Sequence, residues 1–120
     1  MATAINAAIS GLAAANTRLT VSASNVANQS STSWIVNGQT VNQSYAPQKV
    51  DQASLQSGGV QARVSKANPA GVTVQGMQSS NVDTASQMVQ QSIAAYDFKA
   101  NLKTIKVQDQ MQKSLLDIIS

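Results

Sequence analysis

From Ala85 to Ile118 one column of residues recurs at steps of four, four and three: Ala85, Val89, Ile93, Tyr96, Ala100, Thr104, Val107, Met111, Leu115 and Ile118. Only Thr104 interrupts its apolar character. The mean spacing, about 3.67 residues, is that of the eleven-residue repeat, which keeps the seam of a long helix nearly straight or slightly right-handed. The pattern predicts an uninterrupted helix roughly 50 Å long, about three times the ordinary globular length. A chain of 120 residues cannot cover such a rod with its own mass. A second strip, Phe98, Leu102 and Ile105, continued by Leu116 and Ile119, lies about 200° around the helix from Tyr96. Two apolar strips predict burial on both sides, between neighbours.

Residues 4–27 form a second helical pattern. Ile5, Ile9, Leu12, Leu19, Ala23 and Val26 follow four-three heptad spacing, with Asn16 the polar member of the series. Ala13 to Ala15 raise helix propensity and Gly11 lowers it. The pattern stops at Asn25-Val26-Ala27-Asn28, ahead of a Ser/Thr cluster, and Asn28 is expected to cap the helix in the left-handed conformation. At the start of the long helix, Asn81 or Asp83 can cap, and Thr84 with Gln87 fits a capping box.

Between the helices the periodicity changes. Trp34 to Val41 contains Asn37-Gly38, the signature of a tight hairpin turn. Val60, Ala62 and Val64 alternate after Gly58-Gly59; Val72 and Val74 alternate after a break at Asn68-Pro69 and Gly71. Three to five short strands are expected, although the weak hydrophobic content also fits a linker without regular structure. The expected fold is therefore mainly α. Long N- and C-terminal helices form a helical hairpin or coiled-coil layer, with a small, irregular β-rich insert between them. The division is 1–28 and 80–120 for the helical assembly domain and 29–79 for the insert.

Composition sharpens this picture. Hydrophobic residues make up 42% of the chain, but aromatics only 3% and charged residues 11%, so large anchors for a compact core are few. A neutral surface of small side chains suits packing against copies of the same chain. Net charge is +3. Lys99, Lys103, Lys106 and Lys113 share one face of the long helix, but Asp109 and Asp117 lie in or beside it and no aromatic interleaves it. A solvated or salt-bridging face is expected there rather than a nucleic-acid site.

Catalysis has nothing to build on. Cysteine and histidine are absent, which removes thiol chemistry, disulfides and Cys/His metal centres. The five aspartates form no paired-carboxylate motif, and Ser57-Gly58-Gly59-Val60 lacks the rest of a phosphate loop. No catalytic, cofactor or metal residue is assigned and no cofactor is expected. No stretch approaches the length of a membrane span. The first residues show neither the basic nor the continuous apolar region of a cleaved signal.

Two segments carry a resemblance. Leu19-Thr20-Val21-Ser22-Ala23-Ser24-Asn25-Val26-Ala27-Asn28 resembles the N-terminal signature of the bacterial flagellar basal-body rod proteins. Ser80-Asn81-Val82-Asp83, then Met88-Val89 and Phe98-Lys99-Ala100-Asn101, resemble that family's C-terminal motif. The Ser-Asn form and Gly58-Gly59-Val60 before a strand are most similar to the short proximal-rod members. Ser31-Thr32-Ser33-Trp34 stands where many relatives carry Thr-Pro-Gly-Tyr.

The resemblance implies a subunit of a hollow helical rod, with paired terminal helices inside and the insert packed outward. It implies other copies and related axial subunits as partners, together with the flagellar export apparatus. Export without a cleaved signal to a basal-body site in the periplasmic space would follow. The expected subunit-interface residues on the first helix are Ile5, Ile9, Leu12, Leu19, Asn25, Val26 and Asn28. On the second segment they are Asn81, Val82, Asp83, Val89, Ile93, Tyr96, Phe98, Ala100, Asn101, Leu102, Ile105, Val107, Met111, Leu115 and Ile118. The alternative is a helical-hairpin adaptor or export chaperone without rod membership.

Overall fold

A computed structural model describes residues 2–37, 39–41, 45–67, 73–74 and 76–119. Helices α1 (Ala2–Ala27) and α2 (Thr84–Ile119) flank strands β1 (Thr32–Val36), β2 (Gln39–Val41), β3 (Gln48–Ser54), β4 (Val60–Lys66), β5 (Thr73–Val74) and β6 (Met77–Ser79). The molecule is elongated, 77 × 25 × 17 Å, as a helix of about 54 Å with an appended insert requires. Both long helices stand where their patterns place them. The insert carries more strands than expected, because β3 and β6 have no period-two hydrophobic signal to announce them.

The helices run antiparallel, but the apolar heptad of α1 is not their seam. α1 turns a column of small and polar residues toward α2: Ala8, Gly11, Ala15, Ser22 and Asn25, at steps of three, four, seven and three. Opposite them lie Gln87, Gln91, Ala94, Asn101, Ile105 and Gln108. Small side chains win this position because they let two backbones approach closely, whereas a Leu or Ile seam would hold them apart. Gly11 shows how tight the fit is. A Cβ there would stand 2.6 Å from Asn101 Oδ1, and the Asn101 amide is held in place by donating to the Asp97 carbonyl at 2.8 Å.

A stability test follows from that contact. Gly11→Ala should raise helix propensity by about 1 kcal/mol, yet lower the melting temperature, because the added methyl collides with Asn101. In an Asn101→Ala background the same change should raise it. A double-mutant cycle by thermal unfolding reads the sign reversal, and additive effects would exclude the collision.

The termini of the helices are satisfied by side chains. Asp83 caps α2, its Oδ1 accepting from the Ala85 and Ser86 amides at 3.1 and 3.3 Å. The Thr84–Gln87 capping box does not form: Thr84 Oγ1 turns to Gln29, and the Gln87 side chain is drawn into the helix–helix contact. Asn28 does close α1, but not through a left-handed backbone, since Asn37 is the positive-φ non-glycine among the described residues. Its amide instead donates to the Ser24 carbonyl at 2.8 Å, and its backbone N–H donates to the same atom at 3.1 Å.

The insert leaves and rejoins the helices through neighbouring strands. Thr32 pairs with Ser79 across β1 and β6, and the sheet order is β2-β1-β6-β5, antiparallel throughout. The β1–β2 hairpin turns at Asn37, whose φ of 53° suits the tight turn expected there. Gly38 lies outside the described residues, as do Asn68, Pro69, Gly71 and Val72. β3 and β4 form a separate hairpin lying along α1. Gly59, at φ 95°, brings the hairpin tip against α1, where Ser10 Oγ accepts the Val60 amide at 3.0 Å. A side chain at residue 59 would meet Ser10 at 2.3 Å.

Candidate assembly surface

The buried polar cluster at the insert end of the helices fixes how everything else is presented. Asn25 is fully buried, 0% exposed, and its amide spends its whole hydrogen-bonding capacity. Nδ2 donates to the Gln48 carbonyl at 2.8 Å and to Gln87 Oε1 at 3.0 Å, while Oδ1 accepts from the Gln48 amide at 2.8 Å and the Tyr45 hydroxyl at 2.9 Å. The Gln48 backbone determines the amide's orientation, because its N–H can only donate and its carbonyl only accept. Ser22 adds a hydroxyl bond to the Gln87 carbonyl at 2.7 Å. One side chain thus joins α1 to the start of β3 and to the first turn of α2. A buried polar network satisfied to this degree specifies a single arrangement.

Ion pairs reinforce the helices. Arg18 meets Asp97 across the seam at 2.8 Å, and Lys113 meets Asp109 within α2 at 2.7 Å. On the hairpin, Lys49 hydrogen-bonds and pairs with Asp51 at 2.9 Å, holding the Asp51 carboxyl below its ordinary value. That pair is solvent-exposed and stabilises little.

With the core built from small and polar groups, the large apolar side chains are left outside. At 100° per residue, the Val89–Ile118 column lies about 120° around α2 from the line facing α1. Val89 is 57% exposed, Ile93 42% and Tyr96 79%. Ala100, Val107, Met111, Leu115 and Ile118 are exposed as well. The second strip lies nearer to α1: Ile105 is half-buried, and Phe98 and Leu102 are partly open.

On α1, Ile5, Leu12 and Val26 are half-buried beside the seam, while Ile9 and Leu19 are exposed. The helical wheel places this heptad on the same side of the helix pair as Phe98, Leu102 and Ile105. The long Val89–Ile118 column takes the opposite side, beside the β3–β4 hairpin. Past Gln110, residues 111–118 are all exposed, because α2 outruns the start of α1.

The asparagines have different fates. Asn25 is consumed inside the chain, Asn28 caps α1, and Asn101 fills the space opposite Gly11. Asn81 is exposed, Val82 is half-buried and Asp83 caps α2. Gln48, Tyr45, Gln87 and Ser22 complete the Asn25 cluster without being anticipated. A signal did exist for the seam: Ala8, Gly11, Ala15 and Ser22 keep heptad spacing in small residues, parallel to the apolar series beside it.

The architecture is that of an elongated two-helix protein with an inserted β unit, its large apolar residues displayed outward on two faces. Residues 74–118 match the family described as flagellar basal body rod FlgEFG protein C-terminal. This likeness takes in β6, the Asp83 cap and nearly all of α2, the C-terminal part of the chain. No curated protein matches the chain. Among the described residues, no helix is long and apolar enough to cross a membrane.

Proposed function

We propose that this chain is a structural subunit of the flagellar basal-body rod, of the proximal type that FlgC represents, and that it polymerises through its terminal helices into a hollow axial tube. The observation that carries this reading is the exposed apolar column of α2 within the segment that matches the rod family. Burying such surface against a neighbouring subunit is favourable in proportion to its area. Residues 1–28 and 80–120 act as the assembly domain, and 29–79 as an outward insert. Its partners are other copies and related axial subunits, and the flagellar export apparatus delivers it to a site in the periplasmic space. No catalytic step is assigned to it.

Mass spectrometry of purified basal bodies tests this directly. The chain should be recovered in the rod fraction in several copies. Its absence there, together with a discrete soluble complex holding a single client, would replace the rod subunit by an export chaperone.

A further inference from the structure

The β3–β4 hairpin has two outer edges, and they are closed differently. Ala67 donates to the Pro47 carbonyl at 2.7 Å and Leu55 to the Gly59 carbonyl at 3.0 Å. Combined with the register Gln48↔Lys66 to Ser54↔Val60, these bonds fix the alternation of the ladder. Lys49, Asp51 and Ala53 bond to β4, whereas Gln48, Val50, Gln52 and Ser54 turn their N–H and C=O groups outward. On β4 the corresponding outward amide of Val60 is taken by Ser10 of α1. On β3 the Asn25 side chain takes both groups of Gln48. The outward groups of Val50, Gln52 and Ser54 make no hydrogen bond within the described chain.

At Val50 this open edge borders a groove of about 310 Å³. α1 contributes Arg18 and Ser22 to it, and α2 contributes Ser86 and Gln90. Both cations on its rim are already neutralised, Arg18 by Asp97 and Lys49 by Asp51. With Val21 and Val50 also in its lining, the groove is therefore mixed polar and apolar and carries no net charge. It suits an extended segment that brings backbone groups and no charge, since main-chain bonds supply the affinity when a strand is added to a sheet edge.

The chain itself offers such a segment. β2 is an outer strand of the four-stranded sheet and reads Gln39-Thr40-Val41. Its pairing with β1 begins at Val36↔Gln39, directly across the two-residue turn, so Gln39 and Val41 bond to β1 and Thr40 turns its N–H and C=O outward. Ile35, opposite Thr40, donates to the Gly76 carbonyl on its other side at 2.6 Å, in keeping with that alternation. We infer that the open edge of β3 receives β2 of a second copy, joining the sheet of one subunit to the hairpin of the next. The contact rests on the rod reading above and gives the insert a part in it. Because the β2 edge and the β3 edge are different surfaces, the contact is head-to-tail and can propagate.

Hydrogen exchange on the full-length chain, dilute and then assembled at high concentration, tests the contact. Gln52, in the middle of the open edge, is the residue that Thr40 can face, so its amide should exchange freely when dilute and slow about tenfold or more on assembly. The amides of Lys49, Asp51 and Ala53 should be protected in both states. Gln52→Pro removes an outward N–H that the ladder does not use. It should leave the melting temperature unchanged and weaken assembly about tenfold or more. Ala53→Pro, which removes a ladder amide, should unfold the hairpin. The chain has no cysteine, so mixing Gln52→Cys with Thr40→Cys should give an unambiguous disulfide between copies. Assembly that leaves the Gln52 amide freely exchanging would overturn this contact and leave the rod reading standing. Protection that appears only after another protein is added would overturn the second copy as occupant. Failure to self-associate, combined with absence from basal bodies, would overturn both proposals.

Discussion

Asn25→Ala is expected to lower the unfolding free energy by about 3 kcal/mol. The change removes only a small polar side chain, and no large cavity explains the effect. The cost arises because the partners stay behind: the Gln48 N–H and C=O, the Gln87 amide oxygen and the Tyr45 hydroxyl all lose a bond at a site that is 0% exposed. Each buried group left unpaired costs about 1–3 kcal/mol, but neighbouring losses do not add in full. Asn25→Asp separates bonding from volume. A carboxylate still accepts from Gln48 and Tyr45, but it faces the Gln48 carbonyl and the Gln87 oxygen with no proton to offer, so it should be no better than alanine at neutral pH. Chemical denaturation measures both variants. A loss below about 1 kcal/mol for alanine would mean that water replaces the amide and that the cluster does not organise the fold.

The second large effect concerns assembly. Val89→Asp combined with Ile93→Asp should abolish polymerisation, while the monomer's stability changes by no more than about 0.5 kcal/mol for each site. The two predictions separate because these side chains point away from α1 and are 57% and 42% exposed. A charge there is solvated in the free chain but is stripped of water when a neighbour covers the column, which costs several kcal/mol per ion. Ala94→Asp, one residue further along, places the charge in the helix seam at 1% exposure and should unfold the hairpin instead. Sedimentation of the purified variants, with a motility assay for rod function, reads both outcomes. Normal incorporation of the double variant would remove the apolar column from the assembly surface.

The contrast between Ile93 and Ala94 also shows how far the sequence could be read. Helix boundaries, the Asn37 turn and the Val60–Val64 alternation follow from local chemistry, and local chemistry is visible in a single chain. That the chain leaves the column from Val89 to Ile118 uncovered was legible, since a helix of that length outsizes the protein around it. The seam was not. Hydrophobicity marks what is buried by something, but two helices in one chain chose the faces that let them come closest, through Ala8, Gly11, Ala15 and Ala94. The strongest apolar signals therefore point away from the intramolecular contact.

Asn25 was expected among the subunit-interface residues, and neither its burial within the chain nor its partners could be read from the sequence. Gln48 takes part through its backbone, which any residue could supply, and Gln87 reads equally well as a capping residue. β3 was invisible for a related reason: Gln48-Lys49-Val50-Asp51-Gln52-Ala53-Ser54 has almost no alternating apolar face, and its position depends on the ladder with β4 and on one asparagine.

The overhang of α2 has a consequence for polarity. At one end of the molecule the helix ends are capped and tied together by the Asn25 cluster and the paired strands β1 and β6. At the other, residues 111–118 extend past α1 as bare helix, with Leu115, Leu116 and Ile118 uncovered. If such units stack as proposed, the ends of the stack are unlike, one presenting strand edges and the other bare apolar helix. In the proposed rod a subunit would form the same contact whichever tip it joined, so the two tips would differ in how fast they take up subunits and not in binding energy.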